Sequence, residues 1–180
     1  MHVMQTARGA SLSDADESSP RRRLWVLLGV AAVVIVIDQV TKHLAAASLA
    51  DGHQVRLLDG LLTLRLVRNA GAAFGLASGA TIIFSLVAVG VVVVVLRISR
   101  KLASLPWAIS LGLLLGGAVG NLIDRLFRAP RPLEGHVVDF LELPHWPVFN
   151  VADSCLVLAS VTMVLYTMLG MGYEGSSHRG

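Results

Sequence analysis

Four long apolar runs separated by short polar segments dominate the pattern of the chain. The first extends from Leu24 to Ile37 and continues less purely through Val40 and Leu44 to about Ala50. The second runs from Thr81 to Leu96, the third from Pro106 to Ile123 and the fourth from about Val151 to Leu169. A helix needs about 20 mostly apolar residues to cross a hydrocarbon layer about 30 Å thick, and each run reaches or approaches that length. Backbone polar groups in lipid must be satisfied within the segment, so the runs predict helices and not strands. The expected fold is an all-α membrane protein with four transmembrane helices, at about 24–48, 80–97, 106–126 and 150–171. Residues 1–20 are polar and aperiodic and predict a disordered tail; 21–172 form the membrane domain, and 173–180 a second tail.

The connections carry patterns of their own. Gln54 to Leu58 and Leu61 to Val67 alternate polar and apolar residues around Asp59-Gly60, a strong turn pair, which predicts a small β-hairpin or sheet on the outer membrane surface between the first two helices. Strict alternation puts Arg65, Val67 and Asn69 on one face, and Leu64, Leu66 and Arg68 on the other. Gly71, Gly75 and Gly79 follow and permit a bend or a close backbone approach, while His136 to Leu141 reads as a further strand-like piece. Gly112, Gly116 and Gly120, with Gly117 beside them, predict a third helix packed closely within the bundle.

Composition sharpens this reading. Apolar residues make up 54% of the 180, charged residues 15%, and mean hydropathy is +0.69; an average soluble domain carries about 25% charged residues. Whole-chain disorder and a coiled coil are excluded, and the single cysteine, Cys155, can form no internal disulfide. The net charge of +3 does not point to nucleic acid, because the basic residues are spread between apolar runs. A cytoplasmic N-terminus places Arg21, Arg22, Arg23, Arg97, Arg100 and Lys101 inside and Arg56, Arg65, Arg68, Arg125, Arg128 and Arg131 outside, an even count. The outer segments also hold Asp51, Asp59, Glu134, Asp139 and Glu142, and the inner clusters lie closer to the lipid boundary, so both termini are expected in the cytoplasm. A cleavable signal peptide is the competing reading of the first run; Asp38 and Lys42 interrupt it, and three more crossings follow.

Ionisable groups in such a bundle are costly and need partners or a task. Asp38 and Lys42 close the first helix, Asp124 and Arg125 the third, Asp153 opens the fourth, and Asp139 lies in the outer loop just ahead, so all gather at the outer side. The i,i+4 spacing of Asp38 and Lys42 suits an ion pair, and Asp124 beside Arg125 suits a tie between helix ends. Asp139 and Asp153 have apolar neighbours and no basic residue in register. Two such carboxyls brought together would share a proton, the general acid and base arrangement of aspartic peptidases. An aspartate at a helix start also serves the helix dipole, so pattern alone leaves both readings open.

Other chemistries are poorly supplied. There is no His-Glu-x-x-His, and His43, His53, His136 and His145 lack ligand spacing, so no metal site is expected. No Gly-x-Ser-x-Gly elbow or phosphate loop occurs, and Ser154 and Cys155 lack a paired base. A small proton-coupled transporter is the alternative from another class; it would string acids through the bilayer depth, whereas the second helix has none.

Five ordered stretches carry a resemblance: Asp38-Gln-Val-Thr-Lys42, Val67-Arg-Asn69-Ala-Gly71-Ala-Ala-Phe74-Gly75, Gly116-Gly-Ala-Val-Gly120-Asn121-Leu-Ile-Asp124-Arg125, Val137-Val-Asp139-Phe140 and Phe149-Asn150-Val-Ala-Asp153-Ser154. Together, over about residues 24–170, the chain closely resembles the bacterial lipoprotein signal peptidases, signal peptidase II. The resemblance implies an inner-membrane aspartic endopeptidase that cuts prolipoproteins just before a diacylglyceryl-modified cysteine, at the outer leaflet, without cofactor or metal. It places the catalytic pair on Asp139 and Asp153, and substrate-holding or site-shaping roles on Asn69, Gly71, Asn121, Arg125 and Asn150. Asp38, Lys42 and Asp124 match polar positions that support the architecture. The implied partners are diacylglyceryl-prolipoproteins, membrane lipid and globomycin-type inhibitors, with the enzyme a monomer and no nucleic acid bound. The connection from Arg125 to Val137 is longer than the resemblance leads one to expect, and so is the N-terminal tail.

Overall fold

The computed structural model describes residues 20–71 and 79–174. Four helices form the bundle: α1 (Pro20–Ser48), α2 (Gly79–Ile98), α3 (Leu105–Phe127) and α4 (Val151–Met168). All four are long and apolar enough to cross a membrane. Helix α1 begins at Pro20, ahead of the expected 24, and α4 ends at Met168, short of the expected 171. The predicted N-terminal tail and Gly75 lie outside the described residues.

Helix α3 is the hub. It packs on α1, α4 and α2, whereas among the described residues α2 and α4 make little contact with each other. The glycine stripe explains how α3 serves three neighbours. A Cβ on Gly112 would stand 2.8 Å from the Val30 side chain, one on Gly116 2.6 Å from that of Val34, and one on Gly117 2.6 Å from the Ala152 carbonyl oxygen. Without side chains at these positions, backbones approach closely enough for extensive dispersion contact, the main source of helix association in lipid. The expected in-chain role of the stripe is therefore the observed one. Val33, Ile83, Val94, Val157 and Leu158 remain exposed, as lipid-facing residues should.

One end of the bundle carries a three-stranded antiparallel sheet in the order β1 (Val55–Leu57), β2 (Leu62–Asn69), β3 (Val137–Glu142). The hairpin turns through a 3₁₀ segment, Leu58–Gly60, in which Asp59 and Gly60 both take positive φ. The third strand comes from the connection between α3 and α4, so the sheet ties the two halves of the chain together. Strict alternation fails at one point: Leu64 pairs with Leu141 but Val67 with Asp139, so β2 holds one extra residue and bulges between them. Leu64 and Val67, expected on opposite faces, therefore oppose residues of one face of β3. Phe140 packs with Ala45 and Leu49 at the end of α1, seating the sheet on the bundle.

At the opposite end the C-terminal segment folds back instead of trailing off at residue 173 as a simple tail. The Tyr173 carbonyl accepts from the Ala103 and Ser104 amides ahead of α3, and the Trp107 indole N–H donates to the Met171 carbonyl. Arg23 of α1 donates to the Ala103 carbonyl, so both described chain ends meet at the end remote from the sheet.

Replacing Gly116 with Val is expected to lower the midpoint of thermal unfolding in detergent by the equivalent of at least 1–3 kcal/mol, because α1 must move away. Gly90→Ala is the control: a Cβ there meets nothing within 4 Å, and no loss is expected.

Candidate active site

Lys42 is wholly buried, and its three ammonium hydrogens have three acceptors: Asp38 Oδ2 at 2.8 Å, Asp124 Oδ2 at 3.1 Å and Asn121 Oδ1 at 2.9 Å. The pair expected from i,i+4 spacing thus forms. Asp124 pairs with Lys42 and with Arg128, whose Nε lies 2.7 Å from its Oδ1, and not with the adjacent Arg125. Successive helical residues point about 100° apart, so a side chain four positions on reaches Asp124 where its neighbour does not.

Each of these two carboxylates also captures a backbone amide on a different element. Asp38 Oδ1 accepts from the Ala152 N–H at 2.9 Å, and Asp124 Oδ2 from the Val138 N–H at 3.0 Å. Asp153 follows Ala152, and Asp139 follows Val138. The charged cluster therefore holds the chain one residue before each of the two candidate carboxyls. Gly120 makes room for this, since a Cβ there would lie 2.7 Å from Asp38 Oδ2. Gln39, which the sequence did not single out, donates to the Gly120 carbonyl at 3.0 Å and to Asp38 Oδ2 at 3.1 Å.

Asn150 joins the two carboxyls. A bridge between Phe149 and Leu141 returns the chain alongside β3 and delivers Asn150 beside Asp139. Its Nδ2 donates to Asp139 Oδ1 at 2.6 Å, while its side chain and backbone form a capping box with Asp153: the Asp153 N–H donates to Asn150 Oδ1 at 2.9 Å, and the Asn150 N–H to Asp153 Oδ2 at 3.2 Å. Asn121 completes the ring, donating from Nδ2 to Asp153 Oδ1 at 2.8 Å. Asn69, diagonal to Asp139 across β2 and β3, donates to Asp139 Oδ2 at 2.8 Å and accepts the Gly71 N–H at 2.8 Å. Among the described residues neither Asp139 nor Asp153 forms an ion pair. Asp153 thus serves the helix start, as one of the two sequence readings has it, and also accepts from Asn121.

Asp139 is 1% exposed. Burial pushes its carboxyl up to about 6, in the same direction as the neighbouring Asp153 charge and against the two asparagine donors. Arg125 lies nearby with its guanidinium 5.8 Å from the centre of the Phe84 ring, and its Nε is buried without a partner among the described residues. Gly71, at φ +93°, rests against the same ring; a Cβ would come within 3.1 Å of it. Phe84 and Arg128 belong to the site but escaped the sequence reading. The i,i+4 spacing from Asp124 was a usable signal for Arg128; nothing local marks Phe84.

The extended connection is ordered. Gly135 sits against the Asp124, Arg125 and Arg128 carbonyl oxygens, too close for any Cβ, and Leu133 accepts from the buried Ser85 hydroxyl of α2 at 2.8 Å. The Ser154 hydroxyl donates to the Asn150 carbonyl four residues back. An apolar groove of about 380 Å³, lined by Trp146, Phe149, Asp153, Val157, Leu158 and Val161, runs from Asp153 along α4. A larger polar hollow of about 670 Å³ on the sheet, beside Arg56 and Glu142, contains neither carboxyl. Among the described residues no three His, Cys, Asp or Glu side chains are grouped to hold a metal ion.

A family model for signal peptidase (SPase) II matches residues 30–169. A lipoprotein signal peptidase of Rhodococcus jostii is 51% identical over 156 residues, covering 87% of this chain and 78% of that one. One of Mycobacterium leprae is 47% identical over 169 residues, covering 94% and 84%. A solved chain described as a bacterial membrane enzyme, determined by the in meso method, superposes with a TM-score of 0.70 at 29% identity, covering 79% of this chain and 92% of that one.

Two outcomes follow from the geometry. Asp124→Ala strands Lys42, Arg128 and the Val138 amide, and is expected to cost about 3–5 kcal/mol in unfolding experiments, whereas Arg131→Ala, which breaks the exposed pair with Glu134, should cost under about 1 kcal/mol. Because the folded carboxyl of Asp139 titrates above its usual value of 3.8, the folded state binds more protons than the unfolded chain between about 4 and 6. Its contribution to stability is complete below about 4 and is lost as pH rises through about 6. Melting in detergent across that range, with Asp139→Asn as the non-titrating reference, should show a parent-specific decline that levels off above about 6.

Proposed function

The chain belongs to the signal peptidase II family and removes the signal peptide of prolipoproteins, and we propose that it does so as an aspartic endopeptidase with Asp139 and Asp153 as the reacting carboxyls. The observation that carries this reading is Asn150, hydrogen-bonded to both carboxyls at the start of α4 while neither forms an ion pair among the described residues. Structural carboxylates here take cations, as Asp38 and Asp124 do; these two take only neutral amide donors.

The chemistry needs one ionised and one protonated carboxyl. The ionised member removes a proton from water as the water oxygen bonds to the scissile carbonyl carbon. The protonated member gives its proton to the carbonyl oxygen, and a tetrahedral diol results. Return of a proton to the amide nitrogen breaks the C–N bond, a diol hydroxyl loses its proton to the pair, and the pair regains its single proton. Asn69, Asn121 and Asn150 hold the carboxyls in place, each through a direct hydrogen bond. Arg125, with donor capacity left over at Nε, is suited to a substrate carbonyl, and Gly71 lets the chain turn at positive φ against the Phe84 ring.

The substrate we propose is a prolipoprotein whose cysteine, immediately after the cut, carries a diacylglyceryl group. The apolar groove begins at Asp153 and follows α4, which suits a lipid-bearing chain diffusing in the bilayer. The enzyme lies in the bacterial cytoplasmic membrane, acts as a monomer without cofactor and is open to globomycin-type inhibitors. Both termini are cytoplasmic, and the carboxyl pair is at the outer leaflet, where water is at hand. The transporter reading finds no support, since the carboxyls Asp38, Asp124, Asp139 and Asp153 meet at one end of the bundle.

In a gel-shift assay on a diacylglyceryl-modified prolipoprotein, Asp139→Asn and Asp153→Asn are each expected to lower turnover by about 10²–10⁴-fold or more while the protein stays folded. Near-normal turnover in either variant would remove that residue from the chemistry. Asn69→Ala, which takes a donor from the Asp139 carboxylate, should move the alkaline limb of the kcat/KM profile to higher pH.

A further inference from the structure

We infer that Lys42 is a positioning residue that sets how the carboxyl pair is oriented and how many protons it holds, an inference that rests on Asp139 and Asp153 being the reacting pair. The orientation follows from the amide of Asn121. Its Oδ1 accepts from Lys42 Nζ at 2.9 Å and from Asn150 Nδ2 at 3.2 Å, which leaves Nδ2 to donate to Asp153 Oδ1. A flipped amide would set NH₂ against an ammonium that can only donate, so Lys42 decides which way Asn121 faces. The second hydrogen of Asn150 Nδ2 goes to Asp139 Oδ1. One ammonium thereby fixes both amides that serve the two carboxyls.

The proton count follows from charge balance. Among the described residues, Lys42 of α1, Arg125 of α3 and Arg128 just beyond it are the cations facing this region, and Asp38 of α1, Asp124 of α3, Asp139 of β3 and Asp153 of α4 are the carboxyls. Cys155 of α4, which faces Asp38, is a thiol, and α2 contributes the Phe84 ring. Three cations against four carboxyls are neutral when the pair retains one proton. Uncompensated charge in a low-dielectric interior is costly, so this state is favoured over the empty and the doubly protonated pair, and it is the state that hydrolysis requires. A purely architectural lysine would have no such effect once the fold is preserved.

The test uses the full chain in detergent and the kcat/KM profile for a prolipoprotein as a function of pH. Lys42→Met leaves two cations, and both limbs should move to higher pH by about one unit, a tenfold change in proton affinity. Adding Asp38→Asn restores neutrality with one proton on the pair, so the limbs should return towards the parent's while kcat stays low through the freed Asn121 amide. If Lys42→Met does not fold, Arg128→Gln removes a cation at a half-exposed position and should give the same upward movement. Unshifted limbs in whichever of the two single variants folds, or a double variant shifted as far as Lys42→Met, overturn the inference. Asp139→Asn and Asp153→Asn run alongside: activity retained there overturns the pair itself, whereas activity lost there with unshifted Lys42→Met limbs overturns only the role of Lys42.

Discussion

An ammonium sealed from water is the constraint on which the sheet-bearing end of the molecule depends. Removing one ion from water costs several kcal/mol even after relaxation, and the cost is offset only where acceptors meet every hydrogen in good geometry. Lys42 finds two carboxylates and an amide oxygen, one on its own helix and two on α3. The register of α1 against α3 is therefore fixed by charge at this level and by glycine packing below it. The remaining lone pairs of the same carboxylates bind the Ala152 and Val138 amides, so α4 and β3 are docked by the groups that neutralise the lysine. Helix packing, sheet attachment and the spacing of Asp139 and Asp153 are consequences of one satisfied buried charge.

The apolar body and the polar end divide the work. The bundle presents exposed valine, leucine and isoleucine to lipid and keeps its interior closed by side-chain-free approaches along α3. The buried ionisable groups Lys42, Asp38, Asp124 and Asp139 lie at the end where the sheet covers the helices. Among the described residues, helices α2 and α4 both rest on α3 with little contact between them. The groove beside Asp153 offers apolar surface along α4.

Much of this was legible in the sequence because the bilayer imposes strong, one-dimensional rules. Run length and hydropathy located all four helices, and the Asp59-Gly60 turn with its alternating flanks located the hairpin. Asp38 and Lys42 announced their pairing through spacing, and the apolar flanks of Asp139 and Asp153 marked them as unusual carboxyls. Long-range geometry escaped. Nothing near Arg65 or Leu66 signals the bulge in β2, because a bulge is settled by the partner strand. The tie between helix ends expected of Asp124 runs to Lys42 of α1, and its pairing with Arg128 was within reach of i,i+4 spacing. That Asp38 binds an amide 114 positions away, on Ala152, or that Phe84 supports Arg125, depends on how helices meet, which local pattern does not encode. The fold-back of Met171 to Tyr173 onto α3 was missed for the same reason.

The central claim is that the buried cluster holds the carboxyl pair with a single proton. Infrared difference spectroscopy between the parent and the Asp139→Asn, Asp153→Asn double variant, at the pH of maximal turnover, measures this directly through the carboxylic acid and carboxylate stretches. One protonated and one ionised carboxyl lost in the variant is the expected result; a pair found fully ionised or fully protonated at that pH would contradict it.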